Sequence, residues 1–450
     1  MKKLLIFCLT ISCAFLLYAC QDQARLKLSQ RVNYLVKDTV LYEHFLMEWD
    51  GVATYASAYE KSQEKAEFKI YYNELETFSQ LFKKLPTATA LDTCLNKQTR
   101  YFSPLFVDEL RQSESDGRMY SSDQPLEGLK IAIDPVHIGG SDSMAILEKK
   151  LVKVITDTND SIFMDEGALT LATARILEIK LKKLGAQVLL TRRKPGEAAV
   201  GKSFESWLKT DFHTWVQWDF SKGELDRAQA EYLKTKADKP YIFNQYFKRK
   251  DLLARTQKIN QFKPDLTVMI RYNVDEANWE RRGADDFLRP TQANYCLAFV
   301  PGGFMRNELA TKRDRLEFMR LLLTDDVTES TRFSRMLLNH INYKLGVPSV
   351  ATDADYNFLK KSSVQVEKGV YARNLSMTRL VHGPLSYGEV LCLDNVNECV
   401  ALTKKELKVG EIVTSKRVEQ VADAYVDAML EFFNPEENKI KEDDLIETGM

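Results

Sequence analysis

From residue 129 onward, short apolar runs alternate with longer amphipathic ones, and that order constrains the fold more than any other feature of the chain. Residues 129–133 read as an apolar strand that ends at Asp134. Residues 168–184 carry Leu169, Ala172, Ile176 and Ile179 along one helical side, and Gly185 stops the run as a C-terminal cap. Further strands are expected at 188–190, 266–270, 295–300 and 390–393, and further helices at 252–262, 333–345 and 416–433. Strands joined through helices pair in parallel and have both faces covered. The pattern predicts α/β: a single layered domain with a central, mostly parallel twisted sheet flanked by helices. No internal repeat is visible.

Upstream, residues 20–110 are rich in Lys, Glu, Gln, Ala and Leu, with no Pro before Pro86 and Gly51 the only glycine in that stretch. Tyr71, Leu75, Phe78 and Phe82 recur at helical spacing. This predicts a helical N-terminal region of two or three helices, arranged as a hairpin and serving as a spacer or as an appendage packed on the main domain. Residues 111–127 read as a polar linker, 128–433 as the main domain and 434–450 as an acidic, solvated tail. Two insertions interrupt the main domain. The one near 194–250 holds Trp207, Trp215 and Trp218 among many aromatics, a density that suits sugar stacking, a lid, or packing on its own surface. The one near 301–328 is charged and reads as helical.

Composition is ordinary, with 28% charged and 44% apolar residues and 63 Lys+Arg against 64 Asp+Glu, a net charge of −1. A disordered chain and a strongly basic nucleic-acid binder are thereby excluded. The one asymmetry lies in residues 1–19, where Lys2 and Lys3 precede an apolar run; without those two lysines 61 bases face 64 acids, net −3. A basic start and a short apolar run read as an export signal. The closing Leu17-Tyr18-Ala19-Cys20 resembles the lipobox of bacterial lipoproteins, with Tyr18 bulkier than usual. The resemblance implies cleavage before Cys20 and its lipidation. A lipid anchor would then hold the chain to a membrane in the cell envelope, on its periplasmic face. Gln21 leans toward the outer membrane rather than the inner one. Cys8 and Cys13 fall in the leader; Cys94, Cys296, Cys392 and Cys399 are expected as buried free thiols, with a Cys392–Cys399 bridge as the alternative.

Of the five histidines only His137 directly follows an apolar strand, in IAIDPVHIGG. Strand C-terminal ends are where α/β sheets place ligands. Gly139 and Gly140 allow a tight turn there, and Asp134 can accept hydrogen bonds in the same loop. Read locally, the segment is either a functional loop or a plain turn with a partly exposed histidine.

The segment resembles the opening of the zinc-dependent N-acetylmuramoyl-L-alanine amidases of the cell-wall-lytic type, a strand followed by Asp-Pro-Gly-His-Gly-Gly; Val136 and Ile138 replace two glycines. Three further blocks follow in the family's order. Glu166 opens the next helix. The stretch from Arg255 to Asn260 precedes the strand LTVMIRYN, which carries Asn273. GPLSYGEVLCLDN carries Pro384 and Glu389, with Arg379 just upstream. The resemblance spans about residues 128–433. It implies His137 and Glu166 as ligands of one zinc ion and Glu389 as general base. Asp134, Asn273 and Arg379 would bind substrate or support the site. The implied reaction is hydrolysis of the amide joining N-acetylmuramic acid to L-alanine in peptidoglycan, by a water that zinc activates. A protein activator is a further implied partner, because some members carry a helix that blocks the zinc site, a part either insertion could play.

One position departs. Arg271 stands where the third zinc-binding histidine belongs, and arginine has no lone pair to offer. His382 and Asp275 are the candidate replacements. Otherwise Arg271 pairs with Glu166 or Glu389 and stands in for the metal's charge. The chain would then be an amidase-fold lipoprotein that binds peptidoglycan or regulates wall enzymes without catalysis.

Overall fold

The computed structural model describes residues 23, 25–85, 90, 123–156, 158, 160–281 and 287–434. The leader, Cys20, Cys94, most of the 111–127 linker and residues 435–450 of the tail lie outside the described residues.

The N-terminal region is mixed rather than the expected helical hairpin. Helix α1 (residues 25–35) is followed by β1 (Phe45–Met47), β2 (Gly51–Thr54), β3 (Phe68–Tyr71) and helix α2 (Leu75–Lys84). The strands pair antiparallel in the order β1-β2-β3, with Val52 opposite Ile70 and both buried. Each strand is three or four residues long, too short to show a period of two against a lysine- and glutamate-rich background. Of the spacing noted above, Leu75, Phe78 and Phe82 belong to α2, and Tyr71 closes β3.

The main domain runs β4 (Lys130–Pro135), β5 (Leu151–Ile155), β6 (Ser161–Asp165), α3 (Glu166–Lys183), β7 (Gln187–Leu190), α4 (Lys248–Phe262), β8 (Leu266–Asn273) and β9 (Leu297–Val300). It continues with α5 (Lys312–Leu323), α6 (Asp326–Leu345), β10 (Val364–Glu367), β11 (Val370–Ala372), β12 (Leu385–Cys392) and α7 (Lys416–Phe433). Seven strands form the central sheet, in the order β10-β11-β9-β12-β8-β4-β7. Pairing is parallel except at β9–β12 and β10–β11, so the sheet is mostly parallel as expected. The central strands are buried along nearly their whole length because helices cover both faces. Each fully buried isoleucine or leucine there contributes about 1.5–3 kcal/mol. Arg271 is the one position of β8 that is not buried.

Helices α3, α6 and α7 close one face over Ile131, Ile133, Val268, Ile270 and Val390. On the other face Ile259 of α4 packs with Met269, Leu297, Phe299 and Tyr387. The first insertion forms an aromatic core of its own, with Phe204, Trp207, Phe243 and Phe247 fully buried, and it takes in Ile138 and Met144 from the segment after β4. The second insertion supplies Phe304, Leu316, Phe318 and Leu322 to the core of the N-terminal unit. Cys296, Cys392 and Cys399 are buried free thiols. Among the described residues no helix is long and apolar enough to cross a membrane.

Candidate functional site

Two sheet registers and one hairpin bring the singled-out residues together. In the parallel pairing of β12 with β8, Glu389 lies directly opposite Arg271. In the pairing of β4 with β8, Pro135 lies opposite Ile270, so the chain leaves β4 beside Arg271 and reaches His137 two residues later. The β5–β6 hairpin pairs Leu151 with Asp165, and the Glu166 N–H donates to the Lys150 carbonyl at 3.1 Å. That register sets the Lys150 side chain next to Glu166.

Glu166 sits in the first turn of α3, where the helix dipole favours a negative charge. Asp165 caps the helix by accepting from Ala168 N–H at 3.1 Å, and its other oxygen accepts from Gly140 N–H at 2.7 Å. A Cβ on Gly139 would fall 2.4 Å from the Asp165 carboxylate, so only glycine lets the loop lie against the helix start. His137 itself has φ +68°, a left-handed conformation that costs a non-glycine residue about 1–2 kcal/mol.

Two buried arginines hold that strained turn. Arg255 donates to the Pro135 and His137 carbonyls at 2.9 and 3.2 Å and pairs with Asp134 at 2.9 Å and Asp251 at 2.7 Å. Arg192 donates to the carbonyls of Pro135 at 3.1 Å and Gly167 at 2.7 Å. Asp134, fully buried and also bonded to Thr191, is therefore a buttress for the loop.

The cluster is dense in charge. Arg271 donates to Glu389 at 2.8 Å and to Glu166 Oε1 at 3.3 Å. Lys150 takes the other oxygen, Glu166 Oε2, at 3.2 Å. His137 Nδ1 lies 3.2 Å from Glu148, whose second oxygen accepts from the Ile138 N–H at 2.9 Å. His137 Nε2 is buried, has no hydrogen-bond partner among the described residues and lies 3.4 Å from Glu166 Oε1. Burial raises the Glu166 carboxyl, but Lys150, His137 and Arg271 together hold it well below the usual carboxylate range. Burial also raises Glu148, but the charge and hydrogen bond of His137, the Ile138 N–H and Arg255 bring it down to about 2. Burial lifts the Tyr387 hydroxyl, on the same face of β12 as Glu389, to about 12.

Both depressed carboxylates stabilise the fold above the unfolded value near 4.5, and that contribution disappears as pH falls through the folded values. Glu148 alone, at about 2, accounts for about 3 kcal/mol. Urea midpoints are expected to hold steady from pH 7 to 5 and fall between pH 5 and 2. Glu148→Gln should flatten that fall, and an unchanged slope in the variant would refute the assignment.

The remaining sequence candidates lie apart or play other parts. Asn273 Oδ1 accepts from Val274 N–H at 2.8 Å, and its buried Nδ2 has no partner among the described residues. Arg379 lies 3.9 Å from Asp314 of α5. His382 pairs with Glu317 at 3.4 Å and lines a cavity of about 400 Å³ with Phe82 and Pro384, beside the start of β12 and so at the opposite end of the strand. The Asp275 N–H donates to Asp394 at 3.0 Å, beyond the C-terminal end of β8. Neither His382 nor Asp275 stands in for the missing ligand. Glu148 and Lys150 were not foreseen; their one sequence signal is the run Glu-Lys-Lys before a strand, which reads as a solvated turn.

Zinc does not fit this donor set. A guanidinium fills the third position and bonds two of the carboxylates, an ammonium takes a third oxygen, and both cations repel a metal ion. Among the described residues no group of three or more His, Cys, Asp or Glu side chains is placed to hold one.

No protein-family model and no curated protein matches the chain. Solved structures similar to it include apo N-acetylmuramyl-L-alanine amidase Ami1 from Mycobacterium abscessus, at 13% identity, covering 69% of this chain and 100% of that one, with a TM-score of 0.36. The CwlD amidase from Clostridioides difficile, solved in complex with the GerS lipoprotein, is 14% identical over 68% of this chain and 99% of its own, with a TM-score of 0.35. The catalytic domain of CwlV, an N-acetylmuramoyl-L-alanine amidase from Bacillus (Paenibacillus) polymyxa var. colistinus, is 15% identical over 68% and 98%, with a TM-score of 0.34.

Proposed function

We propose that the protein binds peptidoglycan fragments without cleaving them, with Arg271 replacing the charge that a metal ion would bring. The observation that carries this reading is the fork of Arg271 between Glu166 and Glu389. The sequence resemblance over four ordered blocks supports peptidoglycan as the ligand. The lipobox-like Cys20 supports a lipid anchor on the periplasmic face of a membrane, the outer one by Gln21. A protein partner in the envelope fits the same placement.

One observation favours a second reading, zinc-dependent amide hydrolysis with Glu389 as base: the buried, partnerless His137 Nε2 beside Glu166. It would require Arg271 to leave both carboxylates. Retention on purified sacculi, metal content and release of stem peptide, measured on the mature protein and on Arg271→His, separate the two. The binding reading expects retention by the unmodified protein with no stoichiometric zinc and no product, unaffected by chelator. Product formation by the unmodified protein, abolished by chelator, would establish the second reading instead. Failure to be retained on sacculi would sink the first.

A further inference from the structure

Arg373, absent from the sequence candidates, follows β11 on the face of the sheet that carries Arg271 and Glu389. Its guanidinium carbon lies 5.1 Å from the centre of the Phe299 ring. Phe299 pairs across strands with Tyr387, two residues before Glu389, and the two rings are 6.1 Å apart. Arg373 is half-buried, yet among the described residues it makes no ion pair and no side-chain hydrogen bond. The nearby carboxylate, Glu389, is already held by Arg271 at 2.8 Å. Burial lowers the Arg373 pKa; Glu389 opposes that shift and Arg271 adds to it, so its positive charge is under-compensated where it stands.

A guanidinium taken partly out of water without an anion is costly, and its planar fork matches a carboxylate in two parallel hydrogen bonds. Arg271 keeps 23% of its side chain accessible, so an edge of the second guanidinium remains open to an incoming group. Phe299 and Tyr387, both buried in the core of this face, underlie the two arginines and fix the sheet beneath them.

We propose that Arg373, together with the open edge of Arg271, forms an anion subsite that holds a carboxylate of the ligand's peptide part. This rests on the reading that the site takes peptidoglycan fragments, and it names the group by which they are recognised.

The test is calorimetric titration of the full mature protein with a soluble muropeptide whose peptide carboxylates are free, beside the same muropeptide with those carboxylates amidated. The unmodified protein is expected to prefer the free form by about 10- to 100-fold. Arg373→Gln should bind both forms alike, at the weaker level, and Arg373→Lys should regain part of the preference. Equal affinity of the unmodified protein for both forms would overturn the subsite while leaving the binding reading intact. So would a preference that survives in Arg373→Gln. The comparison of the two ligands on the unmodified protein needs no variant, so it decides the matter even if Arg373→Gln is unstable. No binding of either form would overturn the subsite and the binding reading together.

Discussion

Arg255→Met is expected to lower the free energy of unfolding by about 3–5 kcal/mol, the cost of removing one partner from a buried charge network. The side chain is 2% exposed and donates to two carboxylates and two carbonyls at once. Methionine replaces the apolar stem out to about the position of Nε, so the loss reports chiefly on the charge and hydrogen bonds of the missing guanidinium head. Asp134 would keep Thr191 and Asp251 would keep the Ala199 N–H, but both would lose their direct ion pair and be left with only the nearby charge of Arg192. The two carbonyls freed in the variant belong to the turn that holds His137 at φ +68°. Thermal unfolding followed by circular dichroism should show a drop of roughly 4–8 °C. Arg255→Lys should behave nearly as badly, since an ammonium cannot span four acceptors. A drop of less than about 2 °C in Arg255→Met would show that the network is dispensable.

Arg271→Met is expected to cost about 3 kcal/mol at neutral pH, because it leaves Glu389 and Glu166, both nearly fully buried, short of a cation. Glu166 retains Lys150, so most of the loss falls on Glu389. The penalty should be largely relieved in the double variant Arg271→Met with Glu389→Gln. Chemical denaturation of the four members of that cycle measures the coupling directly. Additive effects would mean that the fork between the strands does little for the fold.

The residues differ in how far the sequence announced them. β4, β8 and β12 were legible because central strands of a covered sheet are apolar on both faces, and α7 because its buried side recurs at helical intervals. His137 was singled out because it directly follows an apolar strand, whereas Glu166, Arg271 and Glu389 were found only through the resemblance, by their places in its ordered blocks. Lys150 and Glu148 were not, since their roles come from the β5–β6 register and from the short helix Asp142–Leu147 that turns the chain back. Neither leaves a local pattern. Arg373 reaches the site from a strand two places along the sheet, a relation only strand order reveals. The N-terminal sheet was missed for a related reason. Its strands owe their form to partners such as Val52 and Ile70 rather than to intrinsic preference.

The sharing of one core between the N-terminal unit and α5 bears on how the chain is made. Arg31 donates to the Leu322 carbonyl across a separation of 291 residues, and Arg315 grips Glu67 across 248. At ribosomal rates of about 5–20 residues per second, roughly 15–60 s pass between the appearance of the first group of the longer pair and its partner. For that interval Leu28, Val52, Ile70 and Phe78 have no α5 to cover them. The N-terminal unit can therefore be completed only once α5 has been made. Until then the chain has to be kept from sticking to others through this earlier unit.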